Sequence, residues 1–195
     1  MDEVIAVAFA YLAGSVPFAF LLARRRGVDL RHVGSGNVGA ANVLRASGVR
    51  YALATVGLDA AKGAVAVLVA ERLSGGPATP VVAGLASIVG HVYPVWLRFR
   101  GGKGVATAAG VFGVLTPIAL AIAGVVFVVA IWTTRYISVG SMTAAVTLAV
   151  AAFAHDGPSA VANGAVVAAL IIVGRHRANL GRLSAGTERR IGQRI

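Results

Sequence analysis

The sequence predicts an all-α, polytopic integral membrane protein of about seven transmembrane helices, the fourth of them short, with the N-terminus outside and the C-terminus in the cytoplasm. Three observations predict it. Of 195 residues, 57% are hydrophobic and 13% charged, with a mean hydropathy of +0.81, more apolar surface than one soluble core of this length can hide. The apolar residues fall into successive runs, most near the roughly 20 residues that a crossing needs. Lys and Arg bunch at alternate ends of those runs, as the positive-inside rule demands of cytoplasmic loops. The 25 glycines and six prolines suit membrane helices, which tolerate both. The chain has no cysteine, so disulfides, thiolate metal sites and a thiol nucleophile are excluded.

The first run, EVIAVAFAYLAGSVPFAFLLA (3–23), leads from an acidic end directly into Arg24, Arg25 and Arg26. A secretory leader has the reverse polarity and a shorter apolar stretch, so this run is expected as a retained span with its N-terminus outside. Further runs lie at 52–70, 79–97, 105–116, 117–134, 137–154 and 159–174. The stretch 105–134 is too long for one crossing and is interrupted at Thr116-Pro117, yet its first half is short for a crossing of its own. Charge placement decides. A single crossing would put Arg135, Arg175, Arg177, Arg182, Arg189, Arg190 and Arg194 outside, against the rule. Two crossings place the loops at 24–50, 98–103, 135 and 175–195 in the cytoplasm. Only Lys62, within a span, and Arg72, outside, then fall elsewhere. A half-helix that enters and leaves on one side is the alternative for 105–116. No internal repeat supports a transporter of two similar halves, and no linker divides the chain, so 1–195 reads as one membrane-embedded domain. The formal charge of +11 would suggest nucleic acid in a soluble protein. Its distribution at span ends assigns it to the membrane interface, so no nucleic acid partner is expected.

Four polar clusters interrupt this background, all at or near the cytoplasmic face in that topology. GSGNVGAANVLR (34–45) spaces its glycines so that backbone N–H groups can converge on an anion. Its second half can open a helix, and Arg45 can fork onto two oxygens of a phosphate or carboxylate. A flexible surface turn with an interfacial arginine explains the same pattern. In LDAAKG (58–63), Asp59 and Lys62 share a helix face inside a span, where charges usually face a polar interior or a site. A structural ion pair is the alternative. GHVYPVWLRFRGGKGVAT (90–107) is not a Walker A loop, because Leu97 and Gly104 stand where a glycine and a Ser or Thr are needed. Two glycines, a lysine and a glycine before a helix at 105 still make an anion cradle. The alternative is positive-inside decoration with the belt aromatics Tyr93, Trp96 and Phe99. In RHRANLGRLSAGTE (175–188), His176 and Asn179 share a helix face at the membrane boundary, where a histidine is commonly an interfacial residue. His32, His91 and His155 also stand in this chain. Together the clusters suit a phosphorylated substrate held beside lipid. These clusters and the family resemblance that they carry imply as the candidate binding set Gly34, Gly36, Asn37, Asn42, Asp59, Lys62, His91, Gly101, Gly102, Lys103 and Gly104.

Over almost its whole length the chain resembles the bacterial acyl-phosphate:glycerol-3-phosphate acyltransferases of the PlsY type. The resemblance is carried by YLAGSVPFAF (11–20) and by the four clusters just quoted, in order. It implies transfer of a fatty acyl group from acyl phosphate to the sn-1 hydroxyl of glycerol 3-phosphate, giving lysophosphatidic acid and phosphate in phospholipid biosynthesis. It implies no cofactor or metal, and a multi-pass protein of the bacterial cytoplasmic membrane with its active site facing the cytoplasm. By resemblance, Ser35 and Arg45 of the first motif and His176 and Asn179 of the last serve catalysis. The loop Gly101, Gly102, Lys103, Gly104 takes glycerol phosphate, and Glu188 is structural. Departures are Val38 for the usual proline, Ala41 for threonine and Arg100 for lysine. The first frees loop backbone and the second removes a hydroxyl. No histidine has an aspartate five residues on, the arrangement of the thioester-using glycerolipid acyltransferases. An activated acyl phosphate needs chiefly orientation and oxyanion stabilisation, with no covalent intermediate. The competing class is a small transporter or channel for a phosphorylated solute, which should carry polar residues onward to the outer side.

Overall fold

The structure, a computed structural model, describes residues 1–193; Arg194, counted above in the basic tail, lies outside them. Among the described residues there are ten α-helices, one 3-10 turn and no strand. The helices are α1 (Asp2–Ser15), α2 (Phe18–Arg24), α3 (Ala40–Ser47), α4 (Val49–Leu73), α5 (Thr79–Val92), α6 (Val105–Leu115), α7 (Pro117–Thr134), α8 (Ile137–Asp156), α9 (Ala160–Arg175) and α10 (Arg177–Ser184), with the 3-10 turn at Val95–Leu97. Five apolar segments are long enough to cross a bilayer: Asp2–Arg24, Val49–Leu73, Thr79–Leu97, Pro117–Thr134 and Ile137–Asp156. The pair α9 and α10, bent by 53°, makes a sixth. The short fourth run is α6, whose 11 residues rise about 16 Å, half of a bilayer's roughly 30 Å core. The chain is thus an integral membrane protein of five or six long spans and one short apolar helix.

Two compact units divide the chain, Met1–Val114 and Leu115–Gln193. In the first, helices meet through small residues, as they must where lipid supplies no hydrophobic drive to associate. Ala6, Ala10 and Gly14 recur at four-residue spacing on α1 and are buried. A Cβ on Gly14 would strike the Ser87 carbonyl of α5, and one on Gly90 of α5 would strike the Tyr11 carbonyl of α1, so the two backbones touch. Helices α4 and α6 cross in the same way, at Gly63 against Thr107 and Gly110 against Ala60.

The first run forms the expected span, Asp2–Arg24, and is broken in its middle. Helix α1 stops at Ser15 and α2 starts at Phe18, because Pro17 lacks the N–H that would continue the ladder. The Val16 carbonyl left at the break accepts from Phe18 N–H at 3.1 Å and from Lys62 Nζ at 2.9 Å.

In the second unit α8 packs between α7 and α9. Its buried face is mostly small, with Ser138, Gly140, Ser141, Ala145, Ala149 and Ala152, and α9 answers with Ala162, Ala165, Ala168 and Ala169. Ser159 caps α9 by accepting from Ala162 N–H at 3.1 Å. After α10 the chain turns back, and Ile191 N–H donates to the Arg135 carbonyl at 2.7 Å. Trp132 and Val125 of α7 and Leu170 of α9 stay 81%, 64% and 69% exposed, as lipid-facing side chains do.

Candidate active site

The candidate residues of the first unit gather in two neighbouring arrangements. In the loop between α2 and α3, Gly34 and Gly36 have φ of +65° and +69°. That left-handed backbone favours glycine, and the two together turn Ser35 outward, where it is exposed. The loop is held from behind by Asn42, in the first turn of α3 and 1% exposed. Its Oδ1 accepts from Ser35 N–H at 3.2 Å, and its Nδ2 donates to the carbonyls of Val33 (3.0 Å), Leu30 (3.1 Å) and Asn37 (3.1 Å). Asn42 was expected to bind substrate; with its amide committed to the loop, it is a clasp. Val38 is buried with Leu30, Val43 and Ala52, so it adds to the loop's own core. Arg45 sits in the last turn of α3.

The second arrangement is a small pocket. It is lined by Val16 and Phe18 at the helix break, Asp59 and Lys62 of α4, His91 of α5, Val38, and Gly101 with Gly102. Asp59 and Lys62 are 2% and 6% exposed, with Nζ 2.8 Å from Oδ1. His91 Nδ1 lies 3.6 Å from the same oxygen, and the Phe18 ring lies 5.7 Å from the Lys62 ammonium. Asp59 and Lys62, expected to contact substrate, thus pair with each other and with the Val16 carbonyl while lining the pocket.

The GGKG loop also departs from expectation. Gly101 N–H donates to the Val92 carbonyl and Gly102 N–H to the His91 carbonyl, both at 3.1 Å. These two amides zip the loop onto the end of α5 and do not form an anion cradle. Lys103 and Gly104 follow them into the N-terminus of α6, and Gly104 takes φ +86°.

In the second unit His176 stands at the bend between α9 and α10, 2% exposed. It is the junction residue, and its carbonyl accepts from Asn179 N–H at 2.8 Å in the first turn of α10. Its Nδ1 is 2.8 Å from the Ile172 carbonyl. A carbonyl can only accept, so Nδ1 carries a proton. Asn179 Nδ2 donates to Glu188 Oε1 at 2.6 Å, Ser138 Oγ donates to the same oxygen at 2.9 Å, and Arg182 Nε donates to Oε2 at 2.6 Å. Glu188 thereby ties α8, α10 and the following segment together. Burial pushes its carboxyl up, but the bonds from Asn179, Arg182 and Ser138 outweigh it with the Arg182 charge and hold it below the usual glutamate range.

Sequence reasoning missed Val16 and Phe18 as pocket residues. Their signal was Pro17, a proline in mid-span two residues after a serine. It also missed Asn42 as a clasp, because a buried asparagine and a substrate-binding one look alike in sequence.

Comparison with known proteins gives one consistent result. The family model described as glycerol-3-phosphate acyltransferase matches residues 4–186. A glycerol-3-phosphate acyltransferase of Anaeromyxobacter sp. (strain Fw109-5) is 48% identical over 193 residues, covering 95% of this chain and 94% of that protein. One from Geobacter sulfurreducens is 46% identical over 192 residues, covering 97% and 98%. Two crystal structures of PlsY (YgiH), an integral membrane glycerol 3-phosphate acyltransferase, superpose on the chain. The glycerol 3-phosphate form matches with a TM-score of 0.94 at 41% identity, covering 98% of this chain and 96% of that one. The lysophosphatidic acid form matches with 0.92 at 39%, with the same coverage.

Proposed function

The chain belongs to the glycerol-3-phosphate acyltransferase family, and from that premise we propose that it acylates glycerol 3-phosphate at the sn-1 hydroxyl, with acyl phosphate as donor, giving lysophosphatidic acid and phosphate. One observation carries the reading: the match extends over nearly the whole chain to enzymes of that name, one of them a glycerol 3-phosphate form. Because the family model spans both compact units, residues 1–195 are read as one functional domain. The protein is membrane-bound. The bacterial cytoplasmic membrane and a site open to the cytoplasm are the readings that the Lys and Arg distribution supports.

In the proposed reaction the hydroxyl oxygen attacks the acyl carbonyl carbon. The new ester C–O bond forms, the bond to the phosphate oxygen breaks, and the hydroxyl proton passes to a phosphate oxygen of donor or acceptor, whose second pKa near 6 suits the transfer. The protein's own residues orient two anions and stabilise the oxyanion. Arg45 forks onto phosphate, and Ser35, turned outward by its flanking glycines, orients by hydrogen bonding. Lys103 and the Gly104 amide meet glycerol phosphate, with Gly34, Gly36 and Asn37 in the facing loop. His176 and Asn179 hold substrate and do not take the proton.

The test is incubation of the purified protein with palmitoyl phosphate and glycerol 3-phosphate. Lysophosphatidic acid is the expected product. Product formed only from an acyl thioester would overturn the donor assignment, and no product from any donor would overturn the function.

A further inference from the structure

The amides of Gly101 and Gly102 are occupied within the protein, so anion binding does not explain why these positions lack side chains. Neither has a left-handed backbone among the glycines with positive φ. Space explains both. A Cβ on Gly101 would strike the His91 carbonyl and the Pro94 ring. A Cβ on Gly102 would strike His91 Nε2 and would stand 2.9 Å from Cε1 and 3.0 Å from Cδ2. The far edge of the imidazole occupies the place that any side chain at 102 would need.

That imidazole is itself anchored. His91 is 9% exposed, and its near edge faces Asp59 Oδ1 at 3.6 Å. The same oxygen takes the Lys62 ammonium at 2.8 Å, and Lys62 also donates to the Val16 carbonyl at 2.9 Å. One edge of the ring is thus located by α4, and the other edge locates the loop. Two residues further along, that loop presents Lys103 and Gly104 at the start of α6.

Resting on the acyltransferase reading, we propose that His91 is the positioning residue of the glycerol-phosphate loop. Asp59, with Lys62 as counter-ion, holds the imidazole. The imidazole, seated on Gly102, fixes where Lys103 and Gly104 meet the substrate phosphate. Gly102 is glycine to admit the ring, not to let backbone approach phosphate.

A double-mutant cycle on the full-length protein in detergent micelles tests this, using wild type, Gly102→Ala, His91→Ala and the pair. Without substrate, Gly102→Ala lowers the unfolding temperature when His91 is present. In the His91→Ala background it shifts it by no more than about 1 °C. With palmitoyl phosphate, each single change raises the KM for glycerol 3-phosphate about tenfold and leaves kcat and the donor KM within about twofold; the pair is no worse than His91→Ala alone. Multiplying effects in the pair would mean that Gly102 meets substrate independently, and would overturn the proposal. A loss confined to kcat would also overturn it, leaving His91 merely structural. Should Gly102→Ala not fold, recovery of folded protein in the pair supports the proposal and continued failure overturns it. Should His91→Ala not fold, His91→Asn takes its place, keeping a polar group toward Asp59 while deleting the edge over Gly102. No product from wild type overturns the functional reading and this proposal with it; product from wild type with independent effects overturns this proposal alone.

Discussion

Asn42, Arg45 and Glu188 separate three kinds of demand on a single side chain. Asn42 meets the loop's own backbone, and Asn42→Ala leaves the carbonyls of Leu30, Val33 and Asn37 and the Ser35 amide without it. The expected cost is on the order of 3 kcal/mol, read as a lowered unfolding temperature. Asn42→Asp should cost more, since it turns a carboxylate onto three carbonyls. Arg45 is assigned to substrate, so Arg45→Lys keeps the charge and loses the planar fork. A fall in kcat/KM of roughly tenfold or more is expected, and unchanged activity would remove Arg45 from the phosphate site. Glu188 meets its neighbours as an anion, with a native pKa below the usual glutamate value. An unfolded chain, with its glutamate near 4.3, then binds the proton first as pH falls. The carboxylate's contribution to stability is full above that value and is lost as pH drops through the native pKa. Glu188→Gln should therefore destabilise at neutral pH and flatten the dependence of unfolding temperature on pH below about 4.5. An equally steep acid limb in the variant would show that other groups set it.

At the scale of elements, one substitution should have opposite consequences on two helices. Gly90→Ala drives a methyl group into the Tyr11 carbonyl and against Ser15 N, parting α5 from α1 at about 1–3 kcal/mol. Gly57→Ala, on α4 with nothing within 4 Å of the new atom, should be neutral or stabilising by up to about 1 kcal/mol. Thermal unfolding of both variants checks the pair, and equal losses would refute backbone contact between α1 and α5. The same distinction explains what the sequence could disclose. Apolar runs gave the helices because hydropathy is a local property, and the break at Thr116-Pro117 was legible because the fragments on either side have different lengths to fill. The break at Val16-Pro17 was not legible. A proline inside a span is tolerated or breaks it according to what satisfies the freed carbonyl, and here that group is Lys62, far along the chain. The inward amides of Gly101 and Gly102 escaped for a like reason: their acceptors are backbone atoms, which every sequence has.

For the molecule as a whole, the positive-inside reading yields an orientation that can be measured. The chain has no cysteine, so single cysteines at exposed positions can be labelled with an impermeant maleimide without background. Gly75 and Pro158 should label from outside, and His32, Arg100 and Ala185 from the cytoplasmic side; labelling of position 185 from outside would overturn the orientation. Much of the candidate site was visible beforehand as clusters of polar residues at span ends. Which of them touch substrate and which hold the protein together was not visible, because a buried ion pair such as Asp59–Lys62 and a binding pair share one sequence pattern. The junction at Val16 also sets an order of assembly. A ribosome makes the interrupted first span 46 residues before it makes the lysine that completes it. Until α4 has entered the bilayer, the Val16 carbonyl at the break of that span has Phe18 N–H as a donor but lacks the lysine. The interrupted span therefore reaches its final form only after α4 has been made, and a chain arrested before residue 62 carries a chemical mark of its own incompleteness.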